Sequence, residues 1–453
     1  MHTGADVVVV GAGPVGCVTA LAHARRGAEV LLLEANPGRR NRFAGELLHP
    51  PAVAALAEAG IEHIPPADDH PANRGFAIFH GGRDPWQLHN PGASGRTFEF
   101  NRFVDTLQTA VRAQPRIRFA EGWRATGLRG DTLDVNTPEG GAEVRFGRLV
   151  GADGRFSVVR KMLGLPQDRT QLSHMAGLLL RGARLPCEGF GHVMLGAAGP
   201  VLAYRIAPDE IRVCVDVPPT LRRNTRREAL IWERIAPQLP EVLRAPIEAE
   251  LRAGRVVWAV NELRPRLDYG QGRVALVGDA VGHFHPMTGV GMTLGFGDAV
   301  ALARHADLKG YAAERHAATL SPALLATALY EIFALDAPPT RALRRAIFDI
   351  WGSSDALRAR TMGFLSCEDP SMPRLLAVGA QMVARAAVHA ARDSASQRAW
   401  GEGVTSVGRI GGLVRWLLTE SVPPSMRLID PSVPPSTPFG PLREQLLAAQ
   451  QAA

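Results

Sequence analysis

Near the start of the chain stands the stretch Asp6-Val-Val-Val-Val-Gly11-Ala-Gly13-Pro-Val-Gly16, in which a run of valines precedes a G-x-G-x-x-G motif. The valines predict a buried strand, and the apolar pattern that follows predicts a helix from Cys17 to Arg26. A second predicted strand, Glu29 to Glu34, ends in a carboxylate about 20 residues beyond the glycines, which completes the βαβ fingerprint of a dinucleotide site. In such a site the glycines admit a pyrophosphate to the helix N-terminus, and we expect Glu34 to accept hydrogen bonds from ribose hydroxyls.

A further strand, loop and helix N-terminus are predicted within residues 273 to 302. Gly278 and Asp279 end the strand. Asp279 suits the hydroxyls of a ribose or ribityl chain, because a carboxylate would repel a phosphate. Gly289 and Gly291 would let the backbone approach a flat ring. Taken alone, this stretch is equally consistent with an ordinary glycine-rich connection between a strand and a helix.

Composition places the chain among soluble globular proteins with two or three domains. It has 453 residues, of which 46% are hydrophobic and 21% charged, and these values exclude a disordered chain. The net charge of +7 comes from arginines spread along the sequence, without the clustered basic stripe expected of a nucleic-acid-binding protein. We therefore expect no nucleic-acid partner. An anionic cofactor or an acidic membrane surface would account for the positive charge as well.

The sequence carries no evident targeting or metal-binding signal. The four cysteines lack metal-like or redox-like spacing, which predicts free thiols in a reducing cytoplasm. The N-terminus leads directly into the first strand and leaves no room for a signal peptide. No run of about 18 uninterrupted apolar residues occurs, so we expect no membrane-spanning segment. The predicted location is the cytoplasm, with peripheral contact at the inner face of the membrane as the alternative.

The rest of the sequence predicts an antiparallel sheet followed by helices. Asp153 and Gly154 make the turn of a third strand–turn–helix unit, and residues 174 to 217 have the alternation of antiparallel strands. Residues 310 to 420 have helical spacing only. The basic amphipathic helices among them more often pack on their own domain than lie on a membrane. The Pro-rich residues 421 to 441 are expected to be extended.

Two arginines are candidates for contact with an anionic ligand. Arg102 lies in the first turn of a predicted helix, where the helix dipole disfavours a cation, so an anionic partner nearby would explain it. Arg42 lies in the loop ahead of a helix predicted from residue 51 to 59. It suits a charged contact to a cofactor, but a solvated side chain in a basic run is the alternative.

These motifs, in this order, resemble those of the single-component flavoprotein monooxygenases of the p-hydroxybenzoate hydroxylase fold, and in particular the squalene epoxidases. The shared motifs are Gly11-x-Gly13-x-x-Gly16, Asp153-Gly154, Gly278-Asp279 and His285-Pro286-x-Thr288-Gly289-x-Gly291-Met292-Thr293, which looks like H-P-L-T-G-G-G-M-T. Similar segments are also found at Arg42-x-x-Gly45-Glu46, Gly95-Arg96-x-Phe98, Pro200-Val-Leu-x-Tyr204 and Ala328-Leu-Tyr-Glu-x-Phe333. The resemblance extends over most of the chain.

The resemblance implies an α/β (α+β) fold. A Rossmann-like FAD-binding domain is expected to be interleaved with an antiparallel β-sheet substrate domain, followed by a C-terminal helical region. The expected limits are 1–73, 101–165 and 265–310 for the FAD-binding domain, 74–100 and 166–264 for the substrate domain, and 311–453 for the helical region with its Pro-rich tail.

The resemblance also implies which residues serve the cofactor FAD. Those expected to bind it are Gly11, Gly13, Pro14, Gly16, Glu34, Arg42, Arg102, Asp153, Gly278, Asp279, Pro286, Thr288, Gly289, Val290, Gly291 and Met292. The loop from Pro286 to Gly291 is expected to face the flavin ring, with its amides stabilising negative charge at N1–C2=O. The candidate catalytic residues are Gln87, Pro286 and Gly289, none of which is a general acid or base.

The implied chemistry belongs to the flavin. Reduced flavin is expected to react with O2 to give a C4a-hydroperoxide, which transfers oxygen without a protein nucleophile or a metal and which water would destroy. His283 and His285 are expected to pack and hydrogen-bond beside the flavin, since a metal site would need a third ligand nearby. His285 could also tune the proton of the hydroperoxide. Electrons would come from NAD(P)H, either directly or through a flavin or ferredoxin reductase.

Departures from the family leave the substrate open. A tyrosine that the family places near the flavin has no counterpart in residues 131–137, whereas Gln87 is similar to its partner glutamine. The first hypothesis is epoxidation of a hydrophobic terpenoid, polyene or prenylated molecule, and the second is hydroxylation of an aromatic or quinolone-like ring. The third is flavin-dependent reduction, or simple binding, of a lipid-like molecule. A phenolate would need a base or cation, and residues 174–217 offer few besides Tyr204 and Arg205, which mildly favours the olefin.

Overall fold

The computed structural model describes residues 2–36, 38, 43–61, 71–196, 199–397 and 400–421. Its strands are β1 His2–Val10, β2 Val30–Glu34, β3 Leu47–Leu48, β4 Ala72–Asn73, β5 Gly75–His80, β6 Trp86–His89, β7 Gly95–Thr97, β8 Ile117–Glu121, β9 Arg124–Arg129, β10 Thr132–Thr137, β11 Gly140–Gly151, β12 Thr170–Arg181, β13 Gly191–Leu195, β14 Val201–Ala207, β15 Glu210–Val217, β16 Val257–Leu263, β17 Gly270–Gln271 and β18 Val274–Leu276. Its helices are α1 Pro14–Arg25, α2 Pro50–Glu58, α3 Phe100–Ala113, α4 Val158–Met162, α5 Pro219–Arg222, α6 Arg227–Ile235, α7 Glu241–Arg252, α8 Gly291–Arg304, α9 Leu308–Ala334, α10 Pro338–Ser353, α11 Asp355–Leu365, α12 Met372–Gln397 and α13 Trp400–Ser421.

The first sheet is mainly parallel and has β1 near its centre. Its order is β17-β18-β11-β1-β2-β8, and β10 and β9 extend it beside β11. β1 pairs in parallel with both β11 and β2, and Val7 to Val10 are buried. A continuous apolar run is what a central parallel strand needs when helices cover both sides. The predicted βαβ unit is confirmed, with α1 beginning at Pro14, ahead of the predicted Cys17.

The second sheet runs in the order β16-β12-β15-β14-β13-β5-β6 and is antiparallel except for the pair of β13 with β5. Alternate side chains face opposite layers, as strand geometry requires. Met175 and Cys214 pack towards the C-terminal helices, whereas Ala176 and Val215 pack towards α6 and α7. The antiparallel strands predicted within residues 174–217 are confirmed. β16 forms one edge of this sheet and pairs along β12.

The two sheets alternate along the chain. Strands of the first sheet come from before residue 35, from 117–151 and from 270–276, and those of the second from 75–89 and 170–263. A small sheet of β3, β7 and β4 adds to them. The predicted fold class is therefore confirmed, and the domain limits given above stay a prediction.

Helices α9 to α13 form a C-terminal layer over one face of the second sheet, as predicted for residues 310 to 420. Within the described ranges, α9 is the one helix whose length and hydropathy would suffice to cross a membrane, which the sequence-based expectation did not anticipate. In this fold 61% of its most apolar window is buried, as in the core helix of a soluble protein. Of the segment predicted to be extended, residues 421 to 441, Ser421 is the last residue of α13, and residues 422 to 441 lie outside the described residues.

Candidate active site

The glycine motif forms a sharp turn between β1 and α1. Gly11 has a φ of +99°, a left-handed conformation that favours glycine. A Cβ on Gly16 would lie 1.8 Å from the Gly11 carbonyl oxygen, so only glycine lets α1 come this close to the turn. A Cβ on Gly13, by contrast, would meet nothing within 4 Å, because Gly13 faces a cavity. Gly11 and Gly16 therefore shape the turn, and Gly13 keeps space open in front of it.

This cavity, of about 870 Å³, opens at the carboxyl ends of strands in the first sheet. The ends of β1, β2, β11 and β18 supply part of its wall through Val10, Glu34, Ala152 and Val277. Ligands of open α/β sheets bind outside the carboxyl ends of the strands. The cavity continues to the second sheet, where Tyr204 lines it. It therefore has room for an elongated ligand that reaches from one sheet to the other.

Two carboxylates on the cavity wall suit sugar hydroxyls. Glu34 is held at the end of β2, where Oε2 accepts from Ala12 N at 3.0 Å and Oε1 from Asn36 N at 3.0 Å. Asp279 lies in the turn after β18, directly after Gly278, whose φ is +61°. Gly278 itself does not line the cavity. Its backbone conformation instead places Asp279 there.

A buried ionic network holds the turn that carries Asp279. Arg266 donates to the Gly278 carbonyl oxygen at 3.1 Å and pairs with Asp298. Asp298 is fully buried and also accepts from Gly278 N at 2.8 Å and from Arg315 Nε at 2.8 Å. Sequence reasoning missed this network. Its one signal in the sequence is an acid within the apolar pattern of α8.

Three polar side chains on the cavity wall have atoms without hydrogen-bond partners among the described residues: both ring nitrogens of His283, Oδ1 of Asp153 and Nε of Arg266. The His283 backbone is fixed by hydrogen bonds of 2.7 and 2.9 Å with Arg264. Asp153 Oδ2 accepts from Val158 N at 2.7 Å and Val159 N at 3.2 Å. Burial lowers the pKa of His283 to about 4 and raises the pKa of Asp153. Leaving such groups unsatisfied costs about 1–3 kcal/mol each, so they fit a ligand rich in hydrogen-bonding groups, as FAD is.

The loop ahead of α8 closes the cavity between the two sheets. Residues Pro286–Thr288 form a single 3-10 turn, and Gly289 follows with a φ of +66°. A Cβ on Gly289 would lie 2.8 Å from a Leu47 methyl carbon, so the loop can pack here only with glycine. Pro286, Met287 and residues 289–292 line the cavity. Thr288 instead faces an adjoining chamber, and its buried hydroxyl lacks a hydrogen-bond partner in the described part of the chain.

That chamber, of about 100 Å³, lies between the second sheet and the C-terminal helices. It meets the larger cavity at Phe76 and Met287, which line both. None of its lining side chains carries a charge, and most are aliphatic or aromatic. They include Phe76, Ile78, Val193, Met287, Thr288, Leu325, Ala328, Leu329, Ile332, Phe333, Ile347, Ile350, Trp351, Phe364, Leu375, Met382, Leu413 and Leu417.

Comparison with known families agrees with this geometry. The family model described as squalene epoxidase matches residues 148–392, more than half of the chain, and that of the FAD-dependent oxidoreductases matches residues 6–136. The chain belongs to the squalene epoxidase family. It is therefore an FAD-dependent monooxygenase of the epoxidase type, as the motifs predicted, and FAD is its cofactor.

Individual relatives support the same assignment. Squalene epoxidase of Aspergillus fumigatus is 31% identical to this chain over 382 residues, which cover 77% of this chain and 79% of the relative. Squalene epoxidase of Schizosaccharomyces pombe is 30% identical over 315 residues, or 66% and 68%. The crystal structure of p-nitrophenol 4-monooxygenase from Pseudomonas putida has a TM-score of 0.68 at 23% identity, covering 81% of this chain and 98% of that one. At that identity the similarity shows the fold alone.

In this squalene epoxidase family member Gln87 does not reach the cavity. Strand β5 pairs with β6 so that Ile78 lies opposite Trp86 and Ala77 opposite Gln87. Ile78 lines the apolar chamber, so Gln87 points to the other face of the sheet. It is exposed there, with its amide nitrogen 3.8 Å from Cys187 Sγ. The structure therefore does not bring Gln87 to the cavity, and its catalytic role stays a prediction.

The contact predicted between Arg102 and an anionic cofactor is not found at the cavity of this family member. Arg102 is half-exposed, and its guanidinium lies 3.9 Å from Glu210 on β15. Its backbone nitrogen donates to the capping carboxylate of Glu99 at 2.9 Å. The anionic partner expected from the helix dipole is thus supplied within the protein. Arg42 lies outside the described residues.

A buried ion pair beside the cavity was not predicted as part of the site. Glu46, only 2% exposed, accepts from Arg212 Nε at 2.8 Å and from its terminal nitrogen at 3.0 Å. The guanidinium lies over the Phe43 ring at 5.5 Å. That ring fills the space above Gly177, where a Cβ would be 2.5 Å from it. The pair ties the loop after β2 to β15 and so joins the two sheets of the epoxidase family fold.

Proposed function

We propose that this monooxygenase epoxidises a carbon–carbon double bond of a hydrophobic terpenoid, polyene or prenylated substrate. The observation that carries the proposal is the uncharged chamber that meets the cofactor cavity at Phe76 and Met287. An alkene needs neither a base nor a cation to react with an electrophilic oxygen. It needs apolar walls that exclude water and hold the double bond in one orientation.

We infer that the cofactor is held by residues from both ends of the cavity. Those whose positions support the role are Gly11, Gly13, Pro14, Glu34, Asp153, Asp279, Pro286, Gly289, Val290, Gly291 and Met292. Gly16 and Gly278 would act indirectly, by shaping the two turns. Bound flavin supplies the activated oxygen. The residues of the chain orient flavin and alkene, exclude water, and present the amides of the 286–291 loop to the ring.

Hydroxylation of a phenol is less well supported by the charges near the cavity. A phenolate would need a cation beside it, but within residues 174–217 Arg205 pairs with Glu188 and Arg212 pairs with Glu46. Tyr204 lines the cavity, and burial raises its pKa well above the ordinary value, so it stays a neutral phenol. We therefore favour the olefin over the aromatic ring and over a reduction without O2.

The electron donor and the cellular location belong to the same proposal. We infer that NAD(P)H reduces the flavin, either directly or through a flavin or ferredoxin reductase, and that the enzyme is cytoplasmic with peripheral contact at the inner face of the membrane. Mixing the oxidised enzyme with NADPH alone in a stopped-flow instrument tests direct reduction. Rapid bleaching of the flavin absorbance would support it, and bleaching only after addition of a reductase would support the indirect route.

A mass-spectrometric screen tests the reaction. Purified enzyme, a reducing system and labelled O2 are incubated with terpenoid alkenes, prenylated aromatics and simple phenols. We expect one labelled oxygen atom in an epoxide of the first two groups and no product from the phenols. Labelled hydroxyarenes without epoxide, or turnover that continues without O2, would contradict the proposal.

A further inference from the structure

His285 is buried where three parts of the fold meet. It directly precedes the 286–291 loop and is only 1% exposed. Its Nε2 lies 3.0 Å from Oδ1 of Asp216 on β15. Its ring stacks on that of Tyr330 on α9, with centroids 3.9 Å apart and an angle of 16° between the planes. One imidazole therefore contacts the second sheet and the C-terminal layer, and continues directly into the loop at the cofactor cavity.

The hydrogen bonds of His285 decide which nitrogen carries its proton. Nδ1 accepts from Met287 N at 3.2 Å, so the proton is on Nε2 and is donated to Asp216. Asp216 Oδ1 also accepts from the Ser173 hydroxyl and from the Asn261 amide at 3.2 Å. Three donors thus converge on one carboxylate oxygen, and the ring cannot turn without breaking bonds on both of its sides.

Burying such a polar cluster in the core carries a desolvation cost that apolar side chains would not have. Asp216 is 7% exposed, and a buried carboxylate is tolerated only when its donors are in place. Apolar side chains would pack the sheet against the helices as well. The cap on the 3-10 turn does not need Asp216 either, since a side chain that only accepts from Met287 N would supply it. A separate role for the hydrogen bond from His285 to Asp216 on the second sheet would explain why the carboxylate is present.

We propose that Asp216 and His285 form a positioning pair that fixes the 286–291 loop relative to the second sheet, and thereby fixes the flavin-facing backbone relative to the bound alkene. The inference rests on the proposed function. His285 and the loop residue Met287 line the cavity, and Met287 also lines the apolar chamber. A small shift of the loop therefore changes the distance between the two reacting partners. A misplacement of about 1 Å is enough to reduce a rate by about 100-fold.

Two substitutions of His285 separate its hydrogen bond with Asp216 from its hydrogen bond with Met287 N, which caps the 3-10 turn. His285→Asn keeps an oxygen that can accept from Met287 N but is too short to reach Asp216. His285→Gln can place an amide donor near the position of Nε2 but loses the cap. Asp216→Leu serves as a third variant, which branches at Cγ as aspartate does but offers no oxygen to accept from Nε2. The matched control is His389→Asn, which breaks an exposed histidine–carboxylate pair with Asp349 (2.6 Å) on the far helices.

The first measurement is coupling, the epoxide formed per O2 consumed, in variants that retain their FAD. We expect His285→Asn and Asp216→Leu to lose at least about tenfold in coupling, with hydrogen peroxide replacing the product. His285→Gln and His389→Asn should stay near the wild type, and all four should be reduced at the wild-type rate. Unchanged coupling in His285→Asn, or an equal loss in His285→Gln, would overturn the pair as a positioning device.

The second measurement needs no substrate. Hydrogen–deuterium exchange of residues 283–292 in the FAD-loaded enzyme should rise in His285→Asn and Asp216→Leu and stay unchanged in His389→Asn. Unaltered exchange in both cavity variants would overturn the inference, even if the wild type made no epoxide from any alkene. Absence of wild-type product together with raised exchange would instead reject the proposed function and retain the positioning pair.

Discussion

Replacing Gly16 or Gly13 with alanine should affect two different properties of the enzyme. The added Cβ at position 16 would lie 1.8 Å from a backbone oxygen, so α1 must retreat from the turn by more than 1 Å to restore a normal contact. Forcing a methyl group into a packed core costs about 1–3 kcal/mol, and contact with rigid backbone places Gly16→Ala at the upper end of that range. At position 13 the Cβ meets no protein atom within 4 Å, and the φ of −71° suits alanine. Gly13→Ala should therefore leave the apoprotein as stable as the wild type.

The cost of Gly13→Ala should appear only when FAD binds. Its methyl group occupies space at the cavity wall that the cofactor needs, and we expect a loss of at least about tenfold in affinity, or about 1.4 kcal/mol. Urea unfolding of the apoproteins, followed by circular dichroism, measures the first effect. Titration of the same apoproteins with FAD, followed by flavin fluorescence, measures the second. The reasoning is refuted if Gly13→Ala destabilises the apoprotein as much as Gly16→Ala does, or if it binds FAD as tightly as the wild type.

Three further predictions follow from buried charges and from the chamber. Arg212→Met should destabilise the protein by about 3–5 kcal/mol in urea unfolding, because it leaves the buried Glu46 unpaired. Adding Glu46→Gln should recover much of that loss. An equal loss in the single and double variants would show that the ion pair does not stabilise the fold in this way. The free energy of unfolding should fall as the pH drops from about 6.5 to about 4. Burial lowers the pKa of several histidines to about 4, so the unfolded chain binds more protons than the folded protein in this window. An unfolding free energy in urea that is the same at pH 7.5 and pH 5 would contradict this. These histidines are His23, His49, His192 and His283. Ala328→Trp should fill the apolar chamber and abolish turnover of long terpenoids, while the FAD content stays constant. Ala317→Trp, on the exposed side of the same helix, is the control and should leave the measured turnover unchanged.

The parts of the site built from local sequence could be predicted, since their geometry is set by neighbours in the chain. Four successive valines require burial on both faces, and the glycines after them require a tight turn, so β1, α1 and β2 follow from the sequence. The same holds for the turn at Gly278 and Asp279, where an apolar strand ends at a glycine. The helical region from α9 to α13 follows from its spacing alone.

The parts built from distant residues could not be predicted. His285 and Asp216 are 69 positions apart, and only the pairing of β12, β15 and β16 brings Asp216 beneath the loop. Arg212 meets Glu46 across 166 positions for the same reason. The direction of the Gln87 side chain could not be predicted because β6 is a strand of four residues, and which of its faces meets the core depends on its register with β5. Such registers are tertiary information that a single sequence does not carry.

The apolar chamber draws most of its wall from residues beyond 320, whereas the glycine turn and its carboxylates come from other parts of the chain. Substitutions in the C-terminal third of the chain can thus change which lipid the chamber accepts without altering the glycine turn and the carboxylates of the cofactor cavity. Enzymes that diverge from this one by such substitutions can change their product and keep the same redox chemistry. Laboratory evolution towards a new lipid should accumulate its changes in α9 to α13.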